Sequence, residues 1–293
     1  MSARCWTTCV NVNACARNVR TQTLTIYANA KVNLGLFIRG RRPDGYHELQ
    51  TVFVPVLDLY DVLTLTQTPT VAEPTLAVTG ITLAGNVNDN LCMRAWHLLK
   101  QRVPELPAVT MQLEKRIPAG AGLGGGSSDA AHVLLGLNAL FGLGIAEAEL
   151  RQLGQRLGAD VPFFIENTTQ LASGTGEILT PITIPELQDK RIELVTPGIH
   201  SDTAEAYRGL NYDSITRTGD LAELLKAPIA EWRYTIHNDF EPTVFARYPV
   251  LAELKQELYD RGALYAAMSG SGSALFGIFP GLDESDADIL KHR

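Results

Sequence analysis

Cysteine is scarce: of four in 293 residues, Cys5, Cys9 and Cys15 crowd the first fifteen positions and Cys92 stands alone. Neither that spacing nor any companion Cys/His pair makes a zinc site, and a reducing compartment is expected. Long apolar runs are missing as well. No window reaches ~18 consecutive apolar residues, and residues 1–20 lack the apolar stretch of a secretory signal, which excludes a membrane-spanning helix and an export signal. Charged residues make up 19% of the chain and the net charge is −7, which argues against nucleic acid as a partner. Acid is absent from residues 1–43, which hold seven Lys or Arg. A basic segment of this kind suits a phosphorylated substrate, or is solvated surface plus a basic leader.

Apolar residues account for 45%, enough for one large domain or two modest ones. The leader, with Arg4, Arg17 and Arg20, reads as a disordered extension or a misassigned start, with an organellar transit peptide as the lesser alternative. A cytoplasmic protein is expected, acting on a small molecule, with no nucleic-acid or membrane partner and an oligomeric state left open. Recognisable structure begins near Thr23. Thr23–Tyr27 and Val32–Arg39 read as two strands, followed by a turn at Arg42-Pro43-Asp44-Gly45. Further strands are expected over 51–57, 62–68, 75–79 and 109–115, and a helix after Asn90. A buried helix is expected over 127–141, others over 146–157, 202–209, 221–225 and 249–261, and strands over 178–182, 191–195 and the run after Ser273. Early strands and later mixed elements give an α+β class, without a 20- to 50-residue repeat. The expected division is a leader over 1–22, one domain over 23–170 and a second over 171–293.

The densest signal is Pro118-Ala119-Gly120-Ala121-Gly122-Leu123-Gly124-Gly125-Gly126-Ser127-Ser128. Glycines permit positive φ and bring bare amides close to an anion, and a helix starting at the serines adds its positive end. A P-loop would end in Gly-Lys-Ser/Thr, but no lysine follows Gly126. A dinucleotide fingerprint would want an acid some twenty residues past Gly125, where Ile145 stands. A purely structural turn seldom spends five glycines. Lys115 and Arg116 put cations just before the loop.

With this loop, four further segments resemble the GHMP kinases: Ala28-Asn-Ala-Lys-Val-Asn-Leu34, Gly40-Arg-Arg-Pro-Asp-Gly-Tyr-His-Glu-Leu49, Leu157-Gly-Ala-Asp-Val-Pro-Phe-Phe164 and Met268-Ser-Gly-Ser-Gly-Ser273. The resemblance runs from residue 23 to about 280 and implies a two-domain GHMP kinase fold, ATP as donor and Mg²⁺ on its phosphates. It places Pro118 to Ser128 on the ATP phosphates, with Asn90 and Lys115 beside the adenosine; Asn90 reads equally as a helix N-cap. It makes Asp160 the base and Lys31 its charged partner, since phosphoryl transfer to an alcohol needs a carboxylate at the hydroxyl and cations near the developing charge. From the residues alone, Asp160 before Val-Pro reads as an N-cap and Lys31 as a solvated turn residue. Tyr46 and His47 select, within the family, an acceptor that is a cytidine diphosphate-linked methylerythritol, by stacking on and hydrogen bonding to the base; the plain reading is strand packing plus a surface histidine. Asn33, Thr203, Gly270 and Ser271 are implied near the acceptor. The leader and the short C-terminus depart from the family pattern, and His200-Ser201-Asp202-Thr203 departs from its usual hydrophobic-Ser-Thr arrangement.

Overall fold

The computed structural model describes residues 22–68, 73–82, 86–210 and 219–281. In chain order the elements begin with β1 (Thr23–Arg41), β2 (His47–Gln67), β3 (Thr75–Gly80), α1 (Leu91–Arg102), β4 (Val109–Lys115) and α2 (Gly125–Leu140). Next come α3 (Glu147–Gln155), α4 (Val161–Glu166), β5 (Gln170–Ser173), β6 (Ile178–Pro181) and β7 (Lys190–Val195). The chain closes with α5 (Thr203–Arg208), α6 (Leu221–Leu224), α7 (Ile229–Thr235), α8 (Glu241–Arg247), α9 (Val250–Asp260), β8 (Tyr265–Met268) and β9 (Leu275–Pro280).

Two compact units result, and the chain passes between them several times. The first comprises residues up to 30, 57–118 and 124–168, and the second 31–56, 119–123 and 169 onward. The expected single cut near 170 coincides with the last of these passages, but residues 31–56 and 119–123 belong with the second unit. Hydrogen bonds hold them there: Lys31 N donates to the Leu123 carbonyl at 3.0 Å, Leu49 N to Gly174 at 2.8 Å and Asp239 N to Leu36 at 2.9 Å. The expected leader, up to residue 21, and the tail beyond 281 lie outside the described residues.

In the first unit β2 pairs antiparallel with β4, Leu63 opposite Leu113 and Leu65 opposite Met111, and β3 pairs parallel with β4. Alternation in β4 puts Val109, Met111, Leu113 and Lys115 on the buried face. Helix α2 is apolar nearly all round, with Ala130, Val133, Leu134 and Leu137 buried, as a helix held between layers must be. In the second unit β2 pairs with β5, β5 with β6, and β9 lies between β7 and β8. Its core gathers Leu36, Ile38, Phe240, Leu251, Met268 and Phe279, among others.

Two expectations need correction. The pairs of strands expected over 23–39 and over 51–68 are each one continuous strand, β1 and β2. Ala28-Asn29-Ala30-Lys31 has the composition of a turn, yet all four are buried, and burial on both faces overrides local preference. The short elements β5, α7, α8 and β8 were not foreseen. Four to seven residues carry too little periodicity to be read without their tertiary partners.

Candidate active site

The residues singled out in the sequence fall into both units. In the second unit, the glycine stretch is fixed by its carbonyls. Ala274 N donates to the Ala121 carbonyl at 3.1 Å, Ser269 Oγ to Gly122 at 2.8 Å and Lys31 N to Leu123 at 3.0 Å. Among the described residues, none of the amides from Ala119 to Gly124 donates to a backbone carbonyl. Three pinned carbonyls and uncommitted amides make a backbone that can receive an anion. Gly120, Gly122 and Gly124 all have positive φ, at 67°, 78° and 72°. Only glycine suits Gly122, because a Cβ there would also collide with the Ser269 carbonyl oxygen.

The stretch feeds α2 in the first unit. Its N-cap is Gly124, with no side-chain cap bond and no acid in the first turn, so the first amides and the positive helix end are left for an anion. Ser127 is half-buried; Ser128 is buried, with Oγ 3.3 Å from His132 Nδ1.

Lys115 was expected beside ATP. Its ammonium lies buried between Asp61 and Asp129, 2.7 Å from the latter, while Asp61 also accepts from Arg116 N at 2.6 Å and Ile117 N at 2.9 Å. Burial would pull the Lys115 pKa down, but the two carboxylates outweigh it and hold it above the usual lysine value. The group sits under the start of α2: a Cβ on Gly125 would lie 3.3 Å from Lys115 Nζ. Asp61 gave no sign in the sequence, because its contact with Lys115 spans 54 residues, and Asp129, 14 residues from Lys115, was passed over inside an apolar helix. Asn90 caps α1, its side chain accepting from Cys92 N at 2.9 Å, as its alternative reading held.

Asp160 precedes α4 as its N-cap residue and is half-buried, with Pro162 in the first turn. Its side chain makes no cap hydrogen bond. The capping role that its neighbours suggested is therefore not what holds this carboxylate.

In the second unit Lys31 is buried rather than solvated, its ammonium donating to Asn33 Oδ1 at 2.5 Å and standing 4.9 Å from the Phe53 ring centre. Asn33 was expected to contact the acceptor. Its amide is committed inward, accepting from Lys31 and donating to Thr51 Oγ1 at 3.1 Å, so it orients the lysine.

Tyr46 ends a turn closed by Arg42 N donating to the Tyr46 carbonyl at 2.7 Å, and the residue is 66% exposed. His47 stacks on Tyr207, centroids 4.6 Å apart and planes 25° from parallel, and Tyr207 leans edge-on against Phe240. Burial, then the charge of Arg41, keeps the His47 pKa below its ordinary value, so the ring is neutral near pH 7. Sequence reading missed Tyr207. Its position four residues after Thr203 on α5 puts both on one helix face. The Thr203 hydroxyl is 2.8 Å from Ser271 Oγ, Ser201 Oγ donates to the Ser271 carbonyl at 2.7 Å, and Asn238 Nδ2 donates to Gly270 at 2.7 Å. Thr203 and the Gly270-Ser271 turn are thus joined, despite the unusual residues before Thr203.

The N-terminal domain model of the GHMP kinases matches residues 90–167, and their C-terminal model matches 202–293. A relative from Porphyromonas gingivalis, named 4-diphosphocytidyl-2-C-methyl-D-erythritol kinase, is 44% identical over 268 residues, covering 89% of this chain and 95% of its own. This chain belongs to that family of GHMP kinases. A relative of the same name from Azobacteroides pseudotrichonymphae is 42% identical over 255 residues, covering 86% of this chain and 92% of the relative. The crystal structure of a 4-(cytidine 5'-diphospho)-2C-methyl-D-erythritol kinase superposes with a TM-score of 0.75 at 37% identity, over 92% of this chain and 95% of that one. A homoserine kinase from Cytophaga hutchinsonii shares the fold, with a TM-score of 0.60 at 16% identity over 95% of this chain and 90% of its own.

GHMP kinases use ATP as phosphate donor, which fits the loop. Gly122→Ala tests the fit: strained φ alone costs about 1–3 kcal/mol, and the collision with Ser269 adds to it. A lower melting temperature and a raised KM for ATP are expected. Gly126→Ala should leave the melting temperature near wild type, because a Cβ there meets only Leu91 at an ordinary 3.6 Å.

Among the described residues no helix is long and apolar enough to cross a membrane.

Proposed function

We propose that this chain transfers the γ-phosphoryl group of ATP to the 2-hydroxyl of 4-diphosphocytidyl-2-C-methyl-D-erythritol, giving the 2-phosphate and ADP, in the cytoplasmic non-mevalonate route to isoprenoid precursors. The observation that carries the donor half is the loop, with its pinned carbonyls, uncommitted amides and uncapped helix start. The acceptor comes from the names of relatives above 40% identity over most of the chain, and the exposed Tyr46 beside the His47–Tyr207 stack suits a flat heterocycle.

The roles follow from what phosphoryl transfer demands. Backbone amides from Gly122 to Ser127 hold the phosphate oxygens and align the γ-phosphorus. Asp160 takes the proton of the acceptor hydroxyl as its oxygen bonds to phosphorus and the bond to ADP breaks. Lys31, fixed by Asn33 and Phe53, supplies positive charge to a transition state whose negative charge is spread over the phosphoryl oxygens. Tyr46 stacks on the cytosine ring and neutral His47 bonds to its edge, while Thr203, Gly270 and Ser271 contact the acceptor. Asn90 and Lys115 serve the nucleotide from behind, by fixing α1 and the start of α2. Mg²⁺ neutralises ATP phosphate charge when bound. Among the described residues no group of three or more His, Cys, Asp or Glu could hold a metal; an ion shared with ATP needs only one or two side-chain oxygens beside the phosphates.

A coupled ADP-release assay over cytidylyl, homoserine, mevalonate and galactose acceptors tests class and substrate together; turnover only with another acceptor, or none with any, sinks the reading. Changing Tyr46 and His47 together to alanine should raise the acceptor KM about 5- to 150-fold, the equivalent of the ~1–3 kcal/mol that base stacking contributes, and leave the ATP KM unmoved. Intact turnover of the cytidylyl substrate in that variant would refute the assignment.

A further inference from the structure

The first unit contains a recess that none of these roles uses. It measures about 430 Å³ and lies where the start of β1 meets α2, α3 and α4, within the size range of small-molecule sites. Leu24, Ile26, Leu135, Ala139 and Ile165 make its walls apolar. Gly136 keeps α2 close to β1 there, since a Cβ would run into Ile26.

One buried polar residue stands out in its lining. His132 borders the recess, is 1% exposed, and its Nε2 has no hydrogen-bond partner among the described residues. Its Nδ1 is 2.8 Å from the Ser128 carbonyl oxygen, which can only accept, so the proton sits on Nδ1 and Nε2 presents a lone pair. A buried acceptor left unmatched is costly, and in native proteins it calls for an explanation. Glu147 and Glu166 also line the recess, tied to Arg151 at 3.1 and 2.5 Å. Two carboxylates against one guanidinium disfavour an anionic occupant.

We propose that this recess binds a small, neutral, largely apolar molecule carrying one N–H or O–H donor, which bonds to His132 Nε2. Occupancy would be felt at the loop. His132 grips the carbonyl of Ser128, which lies in the first turn of the helix that Gly124 opens. The consequence for nucleotide affinity rests on the ATP role proposed above; the binding itself does not.

The probes are indole and 1-methylindole, alike in apolar surface but differing in the N–H, titrated calorimetrically into the full chain. Indole should bind saturably with Kd at or below about 10 mM, and 1-methylindole about tenfold more weakly. Leu135→Trp, which fills the recess, should abolish indole binding while ADP release continues, and His132→Phe should remove the preference for indole. Equal binding of both probes to the wild type, no saturable indole binding, or binding that survives Leu135→Trp would overturn the proposal. Indole binding only after deletion of residues 1–21 would give the recess to the chain's own leader and likewise overturn it. The readout is binding, so a failure of the kinase reading would show in the acceptor panel and not here.

Discussion

Replacing Asp160 by Asn is expected to lower kcat by about 10²–10⁴-fold, the range that a positioned general base contributes. The substitution separates the two readings of this residue. Asparagine caps a helix about as well as aspartate does, so a residue that served only α4 would tolerate the change. The side-chain amide would keep the size of the group and the start of the helix but could not take a proton. The Asp160 side chain makes no cap bond in α4, so the melting temperature should hardly move. Steady-state ADP release at saturating ATP and acceptor, with a melting curve alongside, reads both quantities. Release at the wild-type rate would remove Asp160 from the base role.

Lys115→Met is expected to destabilise the protein by about 3–5 kcal/mol, the cost of stripping the partner from a buried ion pair. Lys115, Asp61 and Asp129 are all nearly inaccessible, with side-chain exposures of 3%, 0% and 4%. Without the ammonium, two carboxylates would be left in the interior next to the start of α2. Chemical denaturation of the variant measures the loss, and an unchanged midpoint would mean that the triad is not coupled to folding.

The same triad sets a pH dependence. Burial, opposed by Lys115 and reinforced by Asp61, raises the Asp129 pKa to about 7 from 3.8. The folded chain therefore holds a proton that the unfolded chain releases in that window. The contribution is fully present below pH ~4 and is lost as the pH rises through ~7. Asp129→Asn should flatten the decline in the urea midpoint between pH 5 and 8; an undiminished slope would assign it to other groups.

How much of the protein was legible beforehand depended on the range of the interaction. The loop from Pro118 to Ser128 could be read because a turn with several positive-φ positions needs glycines in sequence, and Gly120, Gly122 and Gly124 take such φ. The alternation in β4 and the all-apolar α2 were equally plain, since a period of two or an unbroken apolar surface is a local pattern. Lys31 was harder. Its composition suggested a solvated turn, and only the strand around it and the Phe53 ring show why an ammonium can be kept inside. The bonds of Asn33 to Lys31 and Thr51 were hidden for the same reason, because the length of a motif does not say which way an amide points. Tyr207 and Asp61 were invisible, each defined by a contact across more than fifty residues.

Sequence alone determined the α+β class, the glycine-rich loop and the family, because those depend on residue types at short fixed spacings. Tertiary structure decided that residues 31–56 and 119–123 belong with the second unit, that Lys115 faces two aspartates rather than the loop's approach, and that His47 rests on Tyr207. Burial and charge pairing act between residues far apart in the chain, and no local pattern records them.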